Sequence, residues 1–154
     1  MSGETHTIIG AAVGAWIAPP GDLYALAGCV FLGVMLAKAP DTLERPLGCD
    51  HRKATHSVWA VLIVCAAALW VCDAADVGRY YGWAAAGSYT AHILADMLTV
   101  SGVYLLAPVQ RTRRAHLLPR GLRPRTGGAW DGLVWVAFGV WVFTLLLHIL
   151  NLMV

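Results

Sequence analysis

Charge is the scarcest thing in this sequence. Charged residues make up 13% of the 154 positions, against roughly 25% in a soluble domain. Hydrophobic residues make up 58%, and mean hydropathy is +0.63. That balance excludes an ordinary water-soluble enzyme and points to a membrane protein. Cysteine is sparse too: Cys29, Cys49, Cys65 and Cys72, with no CxxC spacing, which argues against a thiolate zinc cluster. Three of the four lie in apolar runs and read as small hydrophobes; Cys49 lies beside a polar loop. The sequence has no GxSxG elbow, no P-loop and no GxGxxG after a strand, so nucleophile-elbow hydrolysis and nucleotide binding lose their usual signatures. Ser57 beside His56 does not by itself make a triad. No inverted repeat or low-complexity segment is visible. The opening MSGETH lacks a basic n-region, so a cleaved signal peptide is not expected and His6 is expected to remain.

What is present is a series of apolar runs separated by polar connections. A spanning helix needs about 20 mostly apolar residues. The runs predict helices over 7–18, short enough to need its flanks, over 23–39, stopped by Pro40, over 57–72, over 83–107 with a possible break at Ser101–Gly102, and over 130–152. The expected fold is all-α, a single polytopic membrane bundle of about five transmembrane or membrane-embedded helices. Its parts are a half spanning 5–108, a basic loop over 109–129 and a C-terminal helix.

Basic residues set the expected orientation. Lys38, Arg45, Arg52 and Lys53 surround the loop 40–56, and six arginines fall within 111–125. Both loops should be cytoplasmic. The connections bearing Asp22, Asp73 and Asp76 carry one arginine and should face outward, which puts the N-terminus inside and the C-terminus outside a bacterial or archaeal cytoplasmic membrane. Trp16, Tyr24, Trp70, Tyr80, Tyr81 and Trp83 fall near the outer ends, where interfacial rings are favoured. The six arginines are expected to meet anionic lipid headgroups, at about 1 kcal/mol each near the surface. No recognition helix or aromatic platform accompanies them, so nucleic acid is not an expected partner.

Polar residues within the apolar runs carry the functional signal. Ser88, His92, Asp96 and Thr99 recur at helical spacing and share one face. Such a stripe is either a satisfied polar seam or a site, and ionisable groups inside a membrane favour the site. Gly10 and Gly14 form GxxxG, continued by Ala18, a face for close helix packing. His6 lies one turn earlier on that face and should point into the bundle. The polar loop contributes HRKATHS, residues 51–57, with Asp41 just before it. His6, Asp41, His51, His56, His92 and Asp96 are therefore candidate metal ligands, since imidazole and carboxylate commonly share an ion.

THTIIGAAVG, PDTLERPLG, HRKATHS and AHILADMLTVSGVYLLAP, in this order over residues 5–108, together resemble the SOS-regulated inner-membrane metal-dependent hydrolases, a family distantly similar to zinc-dependent phospholipase C enzymes. The resemblance implies that the same six His and Asp residues hold the metal, with Thr55, Thr99 and Gly102 in support. Two positions depart from the family pattern. Leu43 stands where PDxD would place a second acid, and Lys53 replaces the glycine of HRG. A second ion would then draw on Glu44 or Asp50. His116 and His148 belong to no motif and read as non-ligands.

The expected function is that of a membrane-embedded metal-dependent hydrolase. It would cleave a phosphoester of a lipid or lipid-like substrate with metal-activated water. One or two divalent ions are implied, zinc first, with manganese compatible with the same donors. Asp41 or Glu44 would accept the water's proton. Arg52 offers a planar fork for phosphate oxygens and Lys53 a point charge, although both also suit a cytoplasmic loop. The site is expected at the inner leaflet, with His92 and Asp96 deeper than the loop residues. The competing class is a non-catalytic metal-binding protein or an ion transporter using the same cluster, which the missing repeat disfavours.

Overall fold

The computed structural model describes residues 2–44, 46, 48, 53–110 and 112–151. Five helices account for most of them: α1 (Gly3–Ile17), α2 (Leu23–Glu44), α3 (Val58–Ala74), α4 (Arg79–Leu98) and α5 (Ala129–Asn151). Short 3₁₀ turns cover Ala54–His56 and Arg120–Leu122. No strand occurs among the described residues, so the all-α expectation holds.

Polar side chains start the helices where the sequence supplies them. The Ser2 hydroxyl accepts from the Thr5 amide, Asp22 from the Ala25 amide and Ser57 from the Ala60 amide, each satisfying a first-turn N–H with no partner inside the helix. Ser57 is thus engaged as a helix cap.

Helices α1, α2 and α4 pack on one another and form the centre of the bundle; α3 packs on α4, and α5 on α1. The α1–α2 seam is the closest approach. A Cβ on Gly10 would overlap the Gly33 carbonyl and stand 2.6 Å from the Ala37 Cβ, and a Cβ on Gly14 would overlap the Cys29 carbonyl. The GxxxG face therefore does what small residues allow, bringing two backbones together. The Ser88 hydroxyl of α4 donates to the Gly10 carbonyl at 3.3 Å and ties the third helix to this seam.

Two expected boundaries are corrected. Helix α2 runs through Pro40 to Glu44. Proline removes one backbone hydrogen bond but does not forbid continuation when neighbouring groups absorb the disturbance; the Thr42 hydroxyl donates to the Lys38 carbonyl at 3.1 Å. Helix α4 spans Arg79–Leu98 rather than 83–107. Thr99 closes it, its backbone N–H and its hydroxyl both donating to the Asp96 carbonyl, at 3.1 and 2.8 Å, and Gly102 follows at φ +59°, a left-handed turn open to glycine. The chain then pairs Val103 with Ala115 across the basic loop.

Helix α2, with 22 residues, is long and apolar enough by length and composition to cross a membrane; at 1.5 Å per residue it extends about 33 Å. The apolar helices Val58–Ala74 and Gly132–Leu145 are shorter. Of the six aromatics expected near the outer ends, Trp16, Tyr24, Trp70 and Trp83 are exposed, whereas Tyr80 and Tyr81 are half-buried and pack on each other.

Candidate metal centre

Four segments converge on one point near the C-terminal ends of α2 and α4. Because α2 continues past Pro40, Asp41 and Glu44 lie one turn apart on the same helix. The 3₁₀ turn following the polar loop delivers His56 between them. His56 Nε2 stands 3.3 Å from Asp41 Oδ1, and His56 Nδ1 stands 3.1 Å from Glu44 Oε1. From the other side, α4 presents His92 and Asp96, both fully buried. His56 and His92 approach to 3.0 Å between their Nε2 atoms. Asp96 Oδ2 lies 3.7 Å from His56 Nε2 and 3.8 Å from His92 Nε2, and Asp41 Oδ1 lies 3.7 Å from His92 Nε2. One ligand atom from each of Asp41, His56, His92 and Asp96 falls within 4.8 Å of all the others.

The proton positions follow from the outer partners. His92 Nδ1 lies 2.6 Å from the Ala37 carbonyl oxygen, which only accepts, so Nδ1 carries the proton and Nε2 presents a lone pair. At His56, Nδ1 faces the Glu44 carboxylate and lies 3.1 Å from the Thr55 hydroxyl oxygen, whose own proton is directed to Glu44 Oε1 at 3.4 Å. His56 Nδ1 is thus also the donor, and its Nε2 lone pair faces inward. Two imidazole lone pairs and two carboxylate oxygens then meet in a buried space, an arrangement that repels itself unless a cation sits among them. Ligands of a tetrahedral ion bound at 2.0–2.2 Å would be about 3.3–3.6 Å apart; the four carboxylate–imidazole pairs and the imidazole pair here run from 3.0 to 3.8 Å, and all donor pairs lie within 4.8 Å. The residues fit a divalent metal. The outer partners fit as well, since ligating histidines usually donate their second nitrogen to a carboxylate or carbonyl. Asp41 is the open side of the site: its side chain is 41% exposed, whereas His56, His92 and Asp96 are at most 1% exposed.

His6 joins from behind Asp96. Its ring is buried, stacks on His92 at 3.7 Å between centroids and places Nε2 3.3 Å from Asp96 Oδ1. Neither ring nitrogen has a hydrogen-bond partner among the described residues. The expectation that His6 points into the bundle is met, although it lies outside the set of four. His51 and Arg52 fall outside the described residues, as do Asp50 and Cys49. Lys53 is described and lies 5.9 Å from the Tyr104 ring centroid. Thr55 lies beside His56, its hydroxyl oxygen 3.1 Å from Nδ1. Thr99 supports Asp96 through the helix end. His116 is apart from the cluster, with Nδ1 3.2 Å from the Thr99 carbonyl oxygen, and the side chain of His148 is outside the described set.

Two contributors were not foreseen. The Ala37 carbonyl orients His92, and a backbone acceptor leaves no trace in residue identity. Tyr89 donates its hydroxyl to the Thr55 carbonyl at 2.5 Å and is buried. Its signal was available: Tyr89 precedes His92 by one helical turn. Asp96 also lies closer to the helix end than expected. With α4 stopping at Leu98, His92 and Asp96 occupy its last two turns, level with Asp41 rather than deeper.

An all-helical bundle with buried His and Asp residues at one end, exposed apolar side chains and a helix long and apolar enough to cross a membrane carries a candidate metal centre. The chain belongs to the YdjM inner membrane protein family, whose pattern matches residues 1–153. No curated protein and no solved structure shows significant similarity to it.

Proposed function

We infer that this protein is a membrane-embedded metal-dependent hydrolase that cleaves a phosphoester of a lipid. The observation that supports this most directly is the set of four inward-facing donors at Asp41, His56, His92 and Asp96, completed by an exposed edge at Asp41, with the cationic pair Arg52–Lys53 lying between Asp41 and His56 in the sequence. The sequence resemblance to the SOS-regulated metal-dependent hydrolases points the same way. When bound, a divalent ion, zinc first among the candidates, would lower the pKa of a water to about 7 and polarise a phosphoryl oxygen.

The protein's own groups have distinct tasks in this reading. Asp41 is the carboxylate open to the outside and accepts the proton as the water oxygen attacks phosphorus. The bond from phosphorus to the ester oxygen breaks, and that oxygen leaves as an alcohol, taking up the proton that Asp41 accepted from the water. Arg52 pairs with the phosphoryl oxygens, on which negative charge accumulates in the transition state. Glu44, on the far edge of the His56 ring, holds that imidazole in place, so Asp41 rather than Glu44 is the base. Five membrane-crossing or membrane-embedded helices with the N-terminus inside put the open edge at the inner leaflet, where a lipid headgroup reaches it from between helices.

The test uses purified full-length protein loaded with zinc or manganese and presented with phospholipids in vesicles. Metal-dependent release of a phosphorylated or dephosphorylated headgroup product is expected. Arg52→Ala should lower turnover at least tenfold while leaving bound metal unchanged. Metal-dependent ion flux across liposomes without any turnover would instead establish a transporter.

A further inference from the structure

Helices α2 and α3 both pack on α4 yet make almost no contact with each other along their length. The gap between them is a groove with a volume of about 640 Å³, walled by Leu32 and Leu36 of α2, Val64, Ala67 and Ala68 of α3, and Ala85 of α4. That volume lies within the range of ligand pockets, about 300–1,000 Å³. We propose that this groove holds one acyl chain of a bilayer phospholipid, the chain of the same molecule whose phosphate reaches the Asp41–His56–His92–Asp96 cluster. The proposal rests on the hydrolase reading and names its substrate as a long-chain lipid.

Three features connect the groove to the cluster. On α4, Tyr81, Ala85, Ser88, His92 and Asp96 follow one another at intervals of four, three, four and four residues and so lie along one stripe; the first two line the groove and the last two belong to the cluster. At its inner end the groove is floored by Leu36 and Val64, which pack against the buried core around Tyr89, and Tyr89 is hydrogen-bonded to the turn that carries His56. That turn packs against both α2 and α3 and closes the gap where the cluster begins.

The dimensions agree with an acyl chain. From Leu36 to Gly28, the outermost α2 residue of the groove, eight residues extend about 12 Å, and from Asp41 to Gly28 about 20 Å, at 1.5 Å per residue. One leaflet contributes roughly half of a 30 Å hydrocarbon core. A phosphate at Asp41 would therefore leave its chain lying along the groove to about the middle of the bilayer. The groove is open along its side, with Phe31 and Val71 exposed at its lip, so the second chain of the lipid can remain in the bilayer. A membrane of phospholipid surrounds any member of this family, and linear acyl chains are the occupant it offers.

The test is photolabelling of the full-length protein in phosphatidylglycerol vesicles doped with a phospholipid bearing a diazirine halfway along one acyl chain. Labelled peptides are then mapped by mass spectrometry. Labelling of the 64–71 and 28–36 segments should exceed labelling of the exposed residues Leu133 and Val140 of α5 by at least fivefold. Ala67→Trp, at an exposed position on the groove wall, should abolish that excess. Equal labelling of all exposed faces, or labelling by a prenyl diazirine probe in place of the acyl probe, would overturn the proposal. Because labelling needs no turnover, it separates this assignment from the hydrolase reading. Where hydrolysis is observed, Ala67→Trp should lower kcat/KM for the long-chain phospholipid at least tenfold and leave a short-chain soluble phosphodiester unaffected. Equal loss on both substrates would also overturn it.

Discussion

The Nε2 atoms of His56 and His92 face each other across 3.0 Å, while each ring turns its Nδ1 toward an acceptor of its own, Glu44 for one and the Ala37 carbonyl for the other. Neither ring has a second proton to place between them while both are neutral. Protonating one would supply it, but at the cost of a buried cation beside a second imidazole. A divalent ion resolves the contact more completely, because it also satisfies the Asp41 and Asp96 oxygens. The pair is thus a contact that the proposed metal would explain and that neither histidine shows alone.

Metal content follows directly. Protein purified in detergent without chelator should contain at least one divalent ion per chain, measured by elemental analysis. His92→Ala and Asp96→Asn each remove one of four donors and should lower occupancy by at least tenfold after dialysis. Full occupancy in both variants would make the α4 stripe a structural seam.

Glu44 provides a sharper distinction, since it touches His56 without being one of the four donors. Removing the outer partner of a ligating histidine commonly costs about 10–100-fold in metal affinity. Glu44→Gln should therefore weaken zinc binding by a factor in that range, read in competition with a chromogenic chelator. Glu44→Asp should recover part of the loss. Unchanged affinity in Glu44→Gln would show that the carboxylate does not orient the ring.

Much of this arrangement was legible in residue order because it depends on period. The His92–Asp96 spacing, the placement of His6 one turn before Gly10, and the GxxxG face all translate through 3.6 residues per turn into positions that are buried together here. What was not legible depends on context that period does not encode. Pro40 is a local stop signal, yet it sits inside α2, and only the continuation beyond it places Asp41 and Glu44 on either side of one imidazole. Thr99 and Gly102 end α4 early, although the apolar run continues to Pro108; apolarity alone cannot separate a helix from a buried irregular segment. The groove between α2 and α3 arises from which helices touch, a tertiary fact with no sequence period of its own.

Orientation is testable independently of chemistry. Single cysteines placed by Arg120→Cys and Asp76→Cys, in a chain whose four native cysteines are replaced, should label oppositely with a membrane-impermeant maleimide on intact cells. Position 76 should react from outside and position 120 only after permeabilisation, as the arginine bias of the basic loop requires. Labelling of position 120 from outside would invert the arrangement and move the open edge of the cluster to the outer leaflet.

The α1–α2 seam couples packing to the metal. The Gly10 backbone faces the Gly33 carbonyl and the Ala37 Cβ, and the Ala37 carbonyl is the acceptor that fixes the His92 ring. A methyl at position 10 has no room. Either α1 and α2 separate or the Ala37 segment shifts, and overpacking of this kind costs about 1–3 kcal/mol. Gly10→Ala should lower the apparent Tm of the metal-free protein in detergent. It should also weaken zinc binding more than Gly3→Ala does, because a Cβ on Gly3 meets nothing within 4 Å. The metal effect should exceed what destabilisation alone produces, which can be checked with Ala15→Leu on the same seam but farther from Ala37. If Ala15→Leu, at matched loss of Tm, weakens zinc equally, the seam supports the site only through overall stability and the Ala37 carbonyl has no separate part in it. If Gly10→Ala weakens zinc while Ala15→Leu does not, the helix contact that brings two glycines together is also what holds His92 at the angle its metal needs.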